Sequence, residues 1–136
     1  QTQSVDKVLH QAAAYTINWL VSDIAQQIFR ICVSEIERFP ILGKSFYENG
    51  PLMGQSKLIE YFKYAEQQGC LKISDLYLAA DQFTELCKAD LYTKALFGIQ
   101  QKFTDAEINR VADGVVQVFL AKYGQHYSKT STRRRI

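Results

Sequence analysis

From residue 4 onward, hydrophobic positions recur at intervals of three and four residues with few interruptions. Val5, Val8, Leu9, Ala12, Tyr15 and Trp19 share one helical face across residues 4–21, with Ser4 as the N-cap. Ser22-Asp23 supplies a new cap and a first-turn negative charge. Ile24, Ile28, Ile31, Cys32 and Ile36 then continue down a second helix, which runs to Phe39-Pro40 with Phe29 and Val33 beside the stripe. Its apolar arc is wider than a surface helix needs. Proline lacks an amide proton and biases the preceding residue away from the α region, so Pro40 and Gly50-Pro51 are breaks. Between them a short helix carries Leu42, Phe46 and Tyr47.

Pro51 is placed as the first residue of a further helix, through Leu58, Ile59, Phe62 and Ala65 to a glycine stop at Gly69. Residues 70–73 form a short extended link. Ser74-Asp75 starts a long helix through Ala79, Ala80, Phe83, Leu86, Cys87, Leu91 and Leu96, ended by Gly98. Thr104-Asp105-Ala106-Glu107 fits a capping box and opens the last helix, which reaches Tyr123-Gly124. The expectation is an all-α bundle of five longer helices and one short one, a single domain over 1–124. The basic, aperiodic stretch 125–136 is expected to be a disordered tail.

The last helix has a stripe of Ile108, Val111, Ala112, Val115 and Phe119, broadened by Val116, Leu120 and Tyr123. So broad a surface on a terminal helix means either deep burial or an interface. A twofold dimer, in which the last two long helices meet their copies, would use it. Leu91, Val111, Val115, Val118 and Phe119 are the interface candidates.

With 136 residues and 47% hydrophobic content, the chain is long and apolar enough for a packed core. The net charge of +2 is set by the tail. Without Lys129, Arg133, Arg134 and Arg135, 12 of the 16 basic residues face 14 acidic ones, so the body is not a nucleic-acid surface. Cys32, Cys70 and Cys87 are odd in number and widely spaced, which suits free thiols in a reducing cytoplasm. No apolar run is long enough to span a bilayer. Catalytic motifs are missing, and the two histidines and three cysteines lack metal-ligand spacing, so neither an enzyme nor a metal or other cofactor is expected.

Ligand binding has more support. Trp19, Phe29, Phe62 and Phe83 come from four helices and could converge on an apolar interior, with Cys32 and Cys87 on neighbouring apolar faces. Taken singly, each is more often core packing than pocket wall.

The stretch from Glu35 to Pro51, EIERFPILGKSFYENGP, resembles the E-x-x-RFP-x-L-x-x-x-FYE-x-GP segment of TetR-type transcriptional regulators, in particular their AefR-like C-terminal domains. Gln82–Leu91 and the closing Phe119-Leu120-Ala121-Lys122-Tyr123-Gly124 are similar to later parts of the same domain, and the likeness covers residues 20–124. The resemblance implies an all-helical regulatory domain, dimeric through a four-helix bundle of its last two long helices, with a cavity for a small apolar or aromatic effector. It also implies an N-terminal helix-turn-helix domain that binds operator DNA. No residue of this sequence corresponds to that domain, and residues 1–21 match at most the joining helix. A different class stays open beside it: a free-standing helical carrier or protein-interaction module without a DNA role.

Overall fold

The computed structural model describes residues 4–125, and the basic tail foreseen from 125 onward lies, save Gln125, outside the described residues. Seven helices follow in order: α1 (Val5–Leu20), α2 (Asp23–Glu35), α3 (Pro40–Asn49), α4 (Pro51–Gln67), α5 (Leu76–Leu86), α6 (Leu91–Leu96) and α7 (Asp105–Tyr123). No strand occurs among the described residues. Only an isolated antiparallel bridge joins Leu71 to Gly124, where the extended link meets the end of α7.

Most local signals act as their chemistry requires, although Ser4 precedes α1 without a side-chain cap bond. Ser22 and Asp75 cap α2 and α5, their side chains accepting from the backbone N–H of Ala25 and Leu78. Gly69 and Gly98 take φ of 78° and 70°, the left-handed region open to glycine. Each closes a Schellman motif. Gly69 N–H bonds Glu66 O at 3.0 Å and Cys70 N–H bonds Ala65 O at 2.9 Å. Likewise, Gly98 N–H bonds Ala95 O at 3.1 Å and Ile99 N–H bonds Lys94 O at 2.8 Å.

The capping box at the head of α7 is complete. Glu107 N–H donates to Thr104 Oγ1 at 3.1 Å, and Thr104 N–H donates back to Glu107 Oε1 at 2.8 Å. That backbone donor, with the Gln100 amide behind it, holds the Glu107 carboxyl below the usual carboxylate range. A carboxyl depressed in the folded state adds stability that is present above its unfolded pKa and fades as pH falls through the folded one. Thr104→Ala is expected to cost about 1 kcal/mol at neutral pH in urea denaturation, whereas Glu107→Gln, which removes the titrating carboxyl, should flatten the stability loss on acidification through the carboxylate range.

One expected element is corrected. The helix foreseen from 75 to 97 is two helices, interrupted at Cys87–Asp90. Asp90 stands at φ 66°, ψ −64°, and Leu91 N–H turns back to Ala89 O at 2.7 Å, a tight γ-turn. The turn is held by charge: the Asp90 carboxylate takes Lys94 at 3.1 Å and also the Arg110 guanidinium of α7. Lys94 before all, then Arg110, keeps that carboxyl below its usual range. A second, smaller correction concerns α2, which ends at Glu35 rather than at Phe39.

The core lies where α1, the second half of α4, α5 and α7 meet. Leu9, Ala13 and Ile17 face it from α1, Ile59, Phe62 and Ala65 from α4, and Ala79, Ala80 and Phe83 from α5. From α7, Ile108, Val111, Ala112, Val115, Val116, Phe119 and Leu120 are all buried. The breadth of the last helix's stripe is thus matched by packing inside the chain. α1 lies against α7, and His10 Nε2 reaches Asp113 Oδ1 at 3.0 Å beside that contact.

Candidate functional site

α2 and α3 stand apart from this core. Of α2's thirteen residues only Ala25 and Gln26 are buried, and α3 has none. The wide apolar arc seen in the sequence is real but uncovered. Ile31 and Val33 are 56% and 57% exposed, and Ile41 of α3 is 67% exposed. Met53 at the head of α4 continues the exposure, since α4 buries only its second half. The result is an arm of apolar side chains, 24–53, attached at both ends to a well-packed body.

Midway along its length α2 is pinned to α6. Arg30 Nη2 donates to the last carbonyls of α6, Ala95 O at 3.2 Å and Leu96 O at 3.0 Å, where a helix C-terminus favours a cation. One residue earlier, half-buried Phe29 meets Tyr92 edge-on at 6.5 Å and 74°, and Lys88 Nζ lies 5.3 Å from the Tyr92 ring. Cys32, also half-buried, is the next inward position on α2. Together Phe29, Cys32 and Tyr92 mark where the apolar arm joins the body.

The six residues expected to line one cavity are therefore divided among three places. Phe62 and Phe83 are fully buried and fill the core with Phe119, with ring separations of 5.1 Å (Phe62–Phe119), 5.4 Å (Phe83–Phe119) and 6.3 Å (Phe62–Phe83). Cys87 is 1% exposed, its thiol aimed at Ala13 O at 3.9 Å, and burial pushes its pKa up to about 12, leaving an inert thiol. Trp19 is 43% exposed on α1. Only Phe29 and Cys32 adjoin the uncovered apolar arm. Four helices contribute the expected aromatics, but only Phe62 and Phe83 meet, ring to ring with Phe119 of α7 rather than around a space. Tyr92, absent from the sequence-derived set, joins the site from α6, which the turn at Asp90 separates from α5.

The interface candidates divide in a similar way. Leu91, Val111, Val115 and Phe119 are 1%, 6%, 2% and 1% exposed inside their own chain, so they offer no surface to a partner. Val118 is 54% exposed. It shares a helical face with Gly114 and Ala121, and a methyl group built on Gly114 would touch nothing within 4 Å.

A different feature lies at the head of α2. Gln26 is 5% exposed, the one buried polar residue of the described core. Its Nε2 donates to Leu20 O at 2.8 Å, while its Oε1 has no partner in the protein. It borders a polar cleft of about 280 Å³ between α2 and the loop that follows α6. The sequence offered one signal of it: a glutamine one turn before Phe29 and Arg30, on the inner face of an apolar helix.

Among the described residues, no cluster of His, Cys, Asp and Glu could hold a metal, and no helix is long and apolar enough to cross a membrane.

Comparison with known proteins places this architecture. Residues 7–125 match the family described as AefR-like transcriptional repressor, C-terminal domain. A TetR-family transcriptional regulator from Mesorhizobium loti superposes with a TM-score of 0.83 at 27% identity, over 91% of this chain and 61% of that one. The flavonoid-responsive regulator FrrA superposes at 0.78 with 25% identity, over 89% and 61%. A TetR-family regulator from Pseudomonas syringae pv. tomato, at 18% identity and a TM-score of 0.72, shares the fold. The chain spans about three fifths of the length of the first two. No curated protein matches it.

Proposed function

The chain belongs to the AefR-like C-terminal domains of TetR-type transcriptional regulators, and from that premise we propose that it is the effector-sensing and dimerising part of such a regulator. The uncovered apolar arm carries the reading. A thirteen-residue helix that buries only Ala25 and Gln26, followed by a ten-residue helix that buries nothing, leaves Ile28, Ile31, Val33, Ile36 and Leu42 in contact with water. Covering the area that these side chains leave exposed gains roughly 25 cal/mol per Å², which favours an apolar guest that draws the arm onto the body. Phe29, Cys32 and Tyr92 at the join supply the aromatic and soft contacts that a flat aromatic effector would use. FrrA is named for flavonoid response, a ligand class of that shape.

Binding and response are linked through the arm. A guest that prefers the closed arrangement over the open one shifts the population by its differential affinity and by no more. About 1–3 kcal/mol of such coupling suffices for a regulatory response. In the whole regulator, operator DNA would be held by a helix-turn-helix domain ahead of α1, which would inherit the shift through that helix.

Dimerisation is assigned to the outer face of α7. Gly114, Val118 and Ala121 form a stripe of small side chains that lets two helices approach closely, as a self-complementary twofold contact requires. Four of the residues first considered are replaced in this role by Gly114 and Ala121, and only Val118 is retained.

The effector test is thermal. A panel of flavonoids and smaller planar phenols at saturating concentration is expected to raise the melting temperature by several degrees for at least one member. Phe29→Ala should abolish that rise while leaving the unliganded melting point nearly unchanged, because Phe29 is only half-buried. A panel without any shift, or a shift that survives Phe29→Ala, would remove the assignment of the arm.

A further inference from the structure

Residues 75–97 carry helical periodicity throughout, yet the backbone breaks between α5 and α6, and the break is unusual in kind. Lys88 and Ala89 donate to carbonyls three residues back, Glu85 O at 3.0 Å and Leu86 O at 3.2 Å, so the helix tightens before it stops. Leu91 N–H then reaches only two residues back, to Ala89 O at 2.7 Å. Asp90, at the corner, is the one non-glycine residue at positive φ among the described residues. A side chain is strained there, and no proline or glycine within Leu86–Tyr92 demands the break.

Two sets of forces therefore oppose each other. The bent form is held by Leu91 and Ala95, both buried, and by the Asp90 carboxylate on Lys94 at 3.1 Å and on Arg110. A straight form would relieve the strain at Asp90 and restore helical bonds four residues back, but would swing α6 off the body. What α6 carries gives this balance a consequence. Past Gln26, among the described residues, the hydrogen bonds and ring contacts that tie α2 to the body all end on α6. Arg30 donates to Ala95 O and Leu96 O, and Phe29 meets Tyr92. Arg110, at the other end of the linkage, has its side chain 66% exposed on α7, one turn before Gly114 and on the same face as Ala121.

We propose that the turn at Asp90 is a two-state switch linking the outer face of α7 to the root of the arm. Bent, it keeps α6 on α2 and the arm attached. Straightened, it withdraws Tyr92 and the α6 carbonyls and frees α2 beyond Gln26. Arg110 is the positioning residue, because a group that docks beside Gly114 and draws the guanidinium from Asp90 shifts the balance toward the straight form. The switch takes its regulatory use from the sensing role assigned above, but it is tested without effector, so failure of one is read apart from failure of the other.

The half-buried thiol of Cys32 sits at the arm root, so its alkylation by iodoacetamide reports release, with half-buried Cys70 as the internal reference. Asp90→Ala and Asp90→Gly both remove the carboxylate, but only glycine accepts φ 66° without strain. In the 136-residue chain, the Cys32-to-Cys70 rate ratio, read by peptide mass spectrometry, should rise about fivefold or more in Asp90→Ala. It should stay within about twofold of wild type in Asp90→Gly. Arg110→Gln, an exposed change that leaves the core intact, should raise it about threefold. Equal ratios in the alanine and glycine variants, or an alanine ratio like that of wild type, would overturn the switch. So would a joint rise of Cys32, Cys70 and buried Cys87, which reports general loosening. Should circular dichroism show Asp90→Ala unfolded, Arg110→Gln decides, and a ratio unchanged from wild type overturns the proposal.

Discussion

Replacing Phe119 by alanine is expected to lower the stability of the fold by about 3–5 kcal/mol, a large part of what a domain of this size possesses. Phe119 is 1% exposed and touches both other core rings, with centroids 5.1 Å from Phe62 and 5.4 Å from Phe83, and Tyr123 lies 4.8 Å further along α7. Its removal leaves a cavity lined by three aromatic rings that cannot collapse without moving α4, α5 and α7 together. Urea denaturation followed by circular dichroism would measure the loss. Val118→Ala, one residue earlier but 54% exposed, should stay within about 0.5 kcal/mol in the monomer. Equal effects at the two positions would show that the packing of α7 is not as described.

The second large effect concerns assembly. If the outer face of α7 pairs with its copy, Val118→Glu buries a carboxylate against the partner helix, and near the twofold axis against its own twin. An unpaired buried charge costs several kcal/mol, so the dimer should weaken by about a hundredfold or more. Sedimentation or light scattering across a concentration series would report the change, with helicity and melting of the monomer retained because the side chain faces away from the core. A wild-type chain that is monomeric throughout the series, or a variant that dimerises as well as the parent, would reject this face as the interface.

Both predictions turn on adjacent residues of one helix. Phe119 and Val118 are both interface candidates by sequence, which cannot say which of them meets the chain and which meets solvent. A stripe as broad as Ile108 to Leu120 fits a deep core and an interface equally well. The answer depends on α1, which lies against α7 and covers most of that stripe. The same limit applied to the aromatics. Phe62 and Phe83 read as pocket residues because they come from different helices, yet in space Phe62 stacks on Phe119 and Phe83 meets it edge-on, all three fully buried.

Local chemistry was far more legible. The capping box at Thr104 and Glu107, the caps at Ser22 and Asp75, the glycine stops at 69 and 98 and the breaks at Pro40 and Pro51 all depend on residues within one helical turn of each other, and all appear where the sequence has them. The break at Asp90 did not. Nothing in Lys88-Ala89-Asp90 forbids a helix, and the Asp90 carboxylate at the turn is shared by Lys94 and by Arg110, twenty residues away on α7, a pairing that helical periodicity does not show. Gln26 was only faintly legible, a glutamine on the inner face of an apolar helix whose burial appears in three dimensions alone.

What the sequence determined by itself was therefore the all-helical class, the ends of most helices and the family signature from Glu35 to Pro51, since each rests on interactions between near neighbours in the chain. What only the tertiary structure decided was which apolar faces find a partner. α7 and α5 find theirs within the chain, whereas α2 and α3 do not. Burial is a property of two surfaces at once, and a one-dimensional pattern describes only one of them.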